Sequence, residues 1–546
     1  MVSLVSKSFI QKSHVQTILT FSASVLLSLM LTWPLANNIT THIPLGSEVA
    51  STVPFLNLWT MGWNANRVSQ GFQGYWNAPI FYPVEGSFAF TDPQPFTGLL
   101  SASILSFSPA LAYNLVLILF LSLNGWSVFR LLISMDTPFV PAIFSSFLAQ
   151  TLPFITHERG VLQLQPIFGM IWALGNFWHL IHNSGWRHAV GLGVAITVTI
   201  LTSEYYGLFL VLILLPLGIY EVSQKNRGRL IQKLVVAGTI ASFMSLPILL
   251  GQQSILTKAG FHRDLSIITR NSASLVDYAN VPEQTFGGLI TMSLKSGRQP
   301  LFPGFGLLTL GSIGLIVGLR NRQTRAWSFH LLIAIGIAFL VSFGPLLRIA
   351  SVQPYSFLRS FFPGFEDLRS PYRMAIWVQI GLVLLASNSL THLWKRNHRW
   401  IMIFLAAVTL LELMPIERKL TNVPEPMSLA INQGATIFLP YVHGSSATAY
   451  EETAAWMLQT LPLEVQLVNG YSGYFPAQNR EFKTLFEDFP TETAISKLLE
   501  LDVQTIVIRS SWLNEKQSME LDVFVDRGIL TLTQNAYTYR IYALSN

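Results

Sequence analysis

Hydrophobic residues along this 546-residue chain neither alternate nor recur every seven positions; they gather into eleven long apolar runs separated by short polar stretches. The runs lie at roughly 14–36, 108–130, 137–155, 162–181, 188–203, 205–221, 232–250, 303–319, 327–347, 372–390 and 399–416. An α-helix needs about 20 apolar residues to cross the hydrocarbon core of a bilayer, so the pattern predicts about eleven transmembrane helices. Two of the runs, 188–203 and 205–221, are short and nearly fused. The pattern changes after Ile416. There ATIFLP, AYEETAAWMLQTLP, VQLVNGYSG, ETAISKLLEL, VQTIVIRS, SMELDVFVDRG, ILTLTQ and TYRIYAL switch between strand-like and helix-like periods, as the elements of a small α/β domain do. The expected organisation is therefore an all-α polytopic membrane domain over 1–416, with a long first loop at 37–107, followed by an α/β domain over 417–546.

Composition agrees with the patterning. The chain is 51% hydrophobic, 12% aromatic and only 11% charged, with a mean hydropathy of +0.45, far outside soluble norms. The first run is longer than the roughly 7–15-residue apolar core of a secretory signal, and no small-residue cleavage site follows it, so it is expected to remain as the first helix. There are no cysteines, which excludes disulfides, thiolate metal sites and a thiol nucleophile.

Charge sets the expected orientation. With the N-terminus inside, the inner segments carry fourteen basic residues: Lys7, Lys12, Arg130, Arg187, Lys225, Arg227, Arg229, Lys233, Arg320, Arg322, Arg325, Lys395, Arg396 and Arg399. Only Asp136 and Glu221 oppose them. The positive-inside rule then gives an N-in, C-out topology, in a cell (inner) membrane with the tail extracytoplasmic. The tail holds 9 basic and 15 acidic residues, a formal charge of −6. The pI of about 9.4 thus reflects thin inner loops rather than a nucleic-acid surface. No Walker loop, GxGxxG after a strand, HExxH or GxSxG occurs, which argues against an ATP-driven pump and against those hydrolase classes. No HxH or DxD cluster calls for a metal, and no cofactor is expected.

The candidate chemistry lies on the expected outer side. In the first loop Val49, Val53, Leu56, Trp59 and Trp63 recur at helical spacing, which predicts an amphipathic helix lying in the headgroup region. Glu48 precedes that helix and has two readings, an acid favoured by the helix dipole or a general base held at the membrane surface. The stretch PFITHERGVLQLQPIF places His157, Glu158 and Arg159 in the turn after the third run, outside the membrane. A charge at the bilayer centre costs roughly 3 kcal/mol on insertion scales, which rules out burying that turn in lipid. The turn is either a substrate-positioning site or a capped loop with a snorkelling Arg159. Glu204 and Tyr205 lie at the outer end of the next helical pair, where a helix terminus is the plainer reading. Arg369 and Arg373 in LRSPYR are spaced i,i+4, and Arg263 and Arg298 lie in the loop after the seventh run. Arginine can bind phosphate bidentately; the alternative is pairing with acids such as Glu366 and Asp367.

An N-in first helix, a long first outer loop with an acid, many crossings and an outer C-terminal domain resemble the GT-C class of integral-membrane glycosyltransferases. More narrowly, TWPLA at 32–36, NLWTMGW at 57–63, IFYP-x-x-GS at 80–87, AYNL at 112–115, EYYG at 204–207, LRSPYR at 368–373 and NGYSGYFP at 469–476 resemble a bacterial subgroup of that class distantly related to YfhO-type membrane proteins. The first-loop acid of the class is usually Asp; here the matching position is Glu48 in GSEV. The resemblance implies transfer of a sugar from a polyprenyl-phosphate-linked donor to a glycan, lipid or protein acceptor. In that scheme Glu48 is the base and Glu158 a second acid. His157, Arg159, Glu204, Tyr205, Arg263, Arg298, Arg369 and Arg373 contact substrate, and no metal takes part. Two other readings remain, a non-enzymatic flippase or transporter of lipid-linked glycans and an O-antigen-type polymerase. A transporter would show broken helices paired between two repeats, with ionisable groups at mid-membrane; here such groups cluster outside, apart from Glu412 near the end of the last run.

Overall fold

The computed structural model describes residues 2–182, 185–224, 228–290, 297–350, 352–427 and 434–545, with side chains from residue 15 onward. Lys225, Arg227 and the side chains of Lys7 and Lys12, all counted among the inner cations, lie outside the described residues. The chain packs into two compact units. The first comprises Met1–Ile39, Asn114–Leu249 and Phe261–Leu420; the second comprises Thr40–Tyr113, Leu250–Gly260 and Thr421–Asn546.

Each of the eleven apolar runs folds as helix. In chain order these are Val2–Thr32, Pro109–Ser134, Phe139–Gln150 with Pro153–His157, Phe168–His182, Trp186–Thr202, Glu204–Ser223, Gly228–Lys258, Phe305–Arg320, Arg325–Ser342, Ala375–Lys395 and Arg399–Leu413. Among the described residues, seven stretches are long and apolar enough to cross a membrane, and Trp186–Thr202 and Phe305–Arg320 are shorter apolar helices. The third run is broken at Thr151–Leu152 because Pro153 holds Leu152 extended (ψ 130°) and starts a new turn. Ser203 both ends one helix and caps the next, its hydroxyl accepting from the Tyr206 amide at 3.4 Å. That single residue is why the two short runs look fused.

Helix Ala375–Lys395 is buried along most of its length. Against it packs Phe305–Arg320, whose Gly311, Gly314 and Gly318 leave room for close approach: a Cβ on Gly314 would stand 1.9 Å from the Leu385 carbonyl oxygen. Asn388 Nδ2 donates to the Gly314 carbonyl (3.3 Å) and Ser389 Oγ to that of Leu310 (2.6 Å). Two orphan amides at the start of Phe305–Arg320 are met by Glu412, whose Oε1 and Oε2 accept from Phe305 and Gly306 at 2.5 and 2.8 Å. The acid that stood apart in the last run is thus a helix cap. By contrast, Gly228–Lys258 exposes Val235, Phe243 and Leu250, as a lipid-facing helix does.

In the second unit, strands β1 (His42–Pro44) and β2 (Leu420–Asn422) form a two-stranded ribbon. Strands β3 (Ala435–Leu439), β4 (Gln466–Leu467), β5 (Val503–Arg509), β6 (Leu530–Asn535) and β7 (Tyr539–Leu544) form a mixed sheet of order β4-β3-β5-β7-β6. β3 is parallel to β4 and β5, whereas β7 is antiparallel to β5 and β6. Every residue of β3 is buried, as a central parallel strand covered on both faces should be. Ile437, Leu439, Ile506 and Ile508 pack with Phe482, Phe486 and Leu498 on one side, and Phe438 stacks on Trp456 with ring centroids 5.0 Å apart. The small α/β fold expected of the tail is present.

The first loop corrects an expectation. Its helix, Thr52–Ser69, buries Phe55, Leu58, Trp59, Met61 and Trp63 inside the second unit, with Trp59 only 1% exposed. Phe88 meets the rings of Trp59, Trp63, Tyr75 and Trp76 at 5.1–6.4 Å, and Val49 lies outside the helix, fully exposed. These aromatic residues are a core, not a headgroup belt; their helical spacing marked a buried face and could not say what buries it. The loop also extends the sheet. Leu467 N–H donates to the Pro79 carbonyl (3.1 Å) and receives Tyr82 N–H on its own carbonyl (2.8 Å), while Phe81 N–H donates to the Asn469 carbonyl (3.2 Å). Residues 37–107, attached to the membrane domain by the run pattern, therefore pack from Thr40 onward with the tail.

Candidate active site

In the first unit the turn after the broken third helix is built from below. Glu158 caps the short helix Pro153–His157, its N–H donating to the Phe154 carbonyl at 2.9 Å. Gln165 Nε2 donates to the Glu158 carbonyl (2.5 Å). Asn124 closes the far side, its Oδ1 accepting from Ile167 and Phe168 (2.8 and 3.0 Å) and its Nδ2 donating to the Gln165 carbonyl (2.8 Å). Gln379, fully buried, accepts from the Phe154 amide at 3.1 Å. The backbone of this turn is thereby satisfied internally, and Glu158 and Arg159 are each only 6% exposed.

Into this frame comes the head of helix Ala375–Lys395. Tyr372 Oη donates to Glu158 Oε1 at 2.7 Å. Arg373 lies over the ring of Tyr205, its Cζ 4.6 Å from the centroid, and 6.0 Å from that of Tyr372. Arg373 interacts electrostatically with Tyr372, Tyr205 and Glu158, and its Nε is buried without a hydrogen-bond partner among the described residues. Tyr205 Oη accepts from the Arg369 amide (3.2 Å), and Tyr206 Oη donates to the Leu164 carbonyl (2.6 Å). A carboxylate, a phenol and a guanidinium are thus held together in the interior. Burying a carboxylate is tolerable when donors and a cation accompany it.

The structure brings Glu158, Tyr205 and Arg373 near one another, whereas Arg369 contributes only its backbone amide and its side chain is exposed. Arg159 has other company: burial first, and then the Arg418 charge, together hold its guanidinium down to about 10. His157 lies beside Glu158 and Gln284. Glu204 opens its helix, acidic in the first turn. Arg263 accepts on its carbonyl from Arg359 Nη2 (2.7 Å), and Arg298 is exposed. Asp264, beside Arg263, caps the helix Leu265–Arg270; the bond from the Ser266 amide (2.7 Å) holds its carboxyl below the usual range.

Glu48 belongs to the second unit. It is half-buried, its Oε2 accepting from the Gly46 amide at 2.8 Å, and its charge acts on Tyr113. The carboxylate that reaches the start of helix Thr52–Ser69 is Glu451, which accepts from the Ser51 amide at 2.8 Å. A tail residue thus joins Glu48 near the start of that helix. The NGYSGYFP stretch packs locally. Asn469 pairs its side-chain amide with both backbone groups of Phe438 (2.7 and 2.9 Å), and Tyr471 and Phe475 join the ring of Tyr450 at 5.2 and 5.0 Å.

Sequence reasoning missed Tyr372, Gln165, Gln379 and Arg418. Tyr372 stood inside LRSPYR, and Gln379 is a polar residue within an apolar run, which is itself a signal of function or of helix contact. No group of three or more potential metal-ligating side chains occurs among the described residues.

No family model and no curated protein sequence matches the chain. Solved structures do. The arabinofuranosyltransferase AftD from Mycobacteria shares the fold with a TM-score of 0.59 at 12% identity, over 97% of this chain and 40% of that one. The chain thus spans about two-fifths of the AftD chain. The archaeal oligosaccharyltransferase AglB from Archaeoglobus fulgidus, solved with an inhibitory peptide and a dolichol-phosphate, matches with a TM-score of 0.51 at 13% identity, over 90% of this chain and 69% of that one. At these identities the likeness is one of fold, shared with two membrane glycosyltransferase structures.

Proposed function

We propose that the protein is an integral-membrane glycosyltransferase of the cell membrane, moving a sugar from a polyprenyl-phosphate-linked donor to an acceptor on the outer face. The observation that carries this reading is the buried Glu158–Tyr372–Arg373 cluster, set in a helical unit whose fold is that of the GT-C transferases. AftD transfers arabinofuranose, and AglB was solved with a dolichol-phosphate; the donor class is carried over from that likeness. Arg373 is the contact for the donor phosphate. Its guanidinium is held by Tyr205 and Tyr372 and keeps a buried N–H for a ligand, so it neutralises the phosphate that leaves as the sugar–oxygen bond breaks.

Glu48 is the general base, taking the proton of the acceptor hydroxyl as that oxygen attacks the anomeric carbon. Glu158, tied to Tyr372, positions the cluster. His157, Arg159, Glu204 and Tyr205 line the substrate region. Arg263, Arg298 and Arg369 remain proposed contacts of lesser support.

The test is turnover of a polyprenyl-phosphate sugar by purified variants at equal abundance. Glu48→Gln keeps size and hydrogen bonding while removing the basic group, so kcat should fall by about 10²–10⁴-fold with donor binding retained. Glu158→Gln should act mainly on KM. Loss of turnover in Glu158→Gln with Glu48→Gln intact reverses the two roles; indifference of both removes the support for a transferase.

A further inference from the structure

Arg159 and Arg373 come from the two sides of one site in sequence terms, yet their surroundings differ. Arg373 has phenols and a carboxylate beside it, with one buried N–H still unmet. Arg159 is as deeply buried, 6% exposed, but its two terminal nitrogens, Nη1 and Nη2, have no hydrogen-bond partner among the described residues. The charge that acts on it is another cation, Arg418. Arg418 is half-buried, donates from Nη1 to the Trp33 carbonyl at a long 3.4 Å and keeps its own Nε buried and unpartnered. The adjacent acid, Glu417, is turned to Lys419 (3.3 Å) in an exposed pair.

A buried guanidinium with both terminal nitrogens unmet, lying in the field of a second, half-buried cation, is unfavourable unless something negative joins it. The unmet hydrogen bonds and the like charge raise the energy of the empty arrangement, whereas a tetrahedral oxyanion taken up there would answer both at once. Arg159 remains charged at neutral pH, since burial and the Arg418 charge together lower it only to about 10. The neighbouring Glu158 does not serve as the counter-ion, because its Oε1 is engaged by Tyr372 and its charge is felt at Arg373.

We propose that Arg159 and Arg418 form a second anion site, separate from the donor-phosphate contact at Arg373, which takes a phosphate group from a phospholipid headgroup or from the acceptor. The proposal rests on the transferase reading only in treating Arg373 as the donor's contact, and binding is read without turnover, so failure of one is distinguishable from failure of the other.

The experiment uses the full chain in a neutral maltoside detergent, melted by intrinsic tryptophan fluorescence against inorganic phosphate and, separately, phosphatidylglycerol. A saturable rise in Tm is expected with at least one probe. A response to phosphatidylglycerol alone assigns the site to a headgroup, and a response to inorganic phosphate as well assigns it to a more open, acceptor-borne group. In Arg159→Gln and in Arg418→Gln the apparent dissociation constant should rise at least about tenfold, while Arg373→Gln keeps the response. Without ligand, Arg159→Gln should melt at or above the wild type, because a buried charge facing another has been removed. Absence of a saturable response, an unchanged response in both arginine variants, its loss in Arg373→Gln, or a large drop in the ligand-free Tm of Arg159→Gln would each overturn the site.

Discussion

Carboxylates in this chain find donors in two ways, and the difference separates architecture from chemistry. Glu412 spends both oxygens on the backbone amides of Phe305 and Gly306, and the Gly304 before them has φ +97°, with a Cβ there meeting Leu413 at 2.6 Å. Glu412 therefore fixes where that helix begins. Glu412→Ala should destabilise the solubilised protein by about 0.5–2 kcal/mol, the cost of losing a helix cap, read as a lowered thermal midpoint. Glu158 instead takes a side-chain donor, Tyr372, beside a cation. Sequence could nominate both acids, since charges are scarce here. It could not separate them, because the distinction lies in partners up to 214 residues away. It likewise paired Arg373 with Glu366 or Asp367 as the alternative to a phosphate, where Tyr205 and Tyr372 are the neighbours found.

Among elements, the apolar runs were the most legible feature: length and hydropathy suffice to specify helices whose backbone groups must be satisfied within the segment. Less legible was which helices touch. Gly311, Gly314 and Gly318 read as ordinary apolar-run glycines until Ala375–Lys395 is seen against them. Gly314→Ala should separate the pair, since no rotamer relieves a Cβ against the Leu385 carbonyl. A loss of about 1–3 kcal/mol is expected, as for overpacked cores, and Gly336→Ala, where a Cβ meets nothing within 4 Å, is the control that should melt like the wild type. The first-loop helix shows the opposite limit. Its periodicity was readable, but hydrophobic spacing reports a buried face without naming lipid or protein as its cover.

For the molecule as a whole, the proposed orientation rests on the thin basic loops. An activity reporter that works only outside the cell should function when fused after Asn546 or within 252–302 and fail after Arg325; activity after Arg325 would invert the proposed topology. The tail invites a second test. Its strands and helices were legible from period alone, and on that basis residues 421–545 should fold in isolation. The sheet edge at β4, however, is completed by Pro79–Tyr82, and Asn469 lies beside Phe81. Expressed alone the tail should therefore melt without cooperativity, and a fusion carrying residues 40–113 should restore a cooperative transition by circular dichroism. A cooperative melt of the isolated tail would show that the first loop is dispensable to its stability.

The three-part construction of the second unit also dictates an order of events during synthesis. Trp59, Trp63 and Phe88 are made early, yet Leu467, Asn469 and Glu451, which complete their surroundings, follow only after roughly 400 more residues. At typical elongation rates of roughly 5–20 residues per second the loop waits ~20–80 s with an unfinished sheet edge. During that interval most of the membrane helices are inserted, so the nascent loop is a substrate for holding chaperones and proteases. A ribosome that stops before residue 467 leaves behind a product whose weakest point is its beginning rather than its missing end.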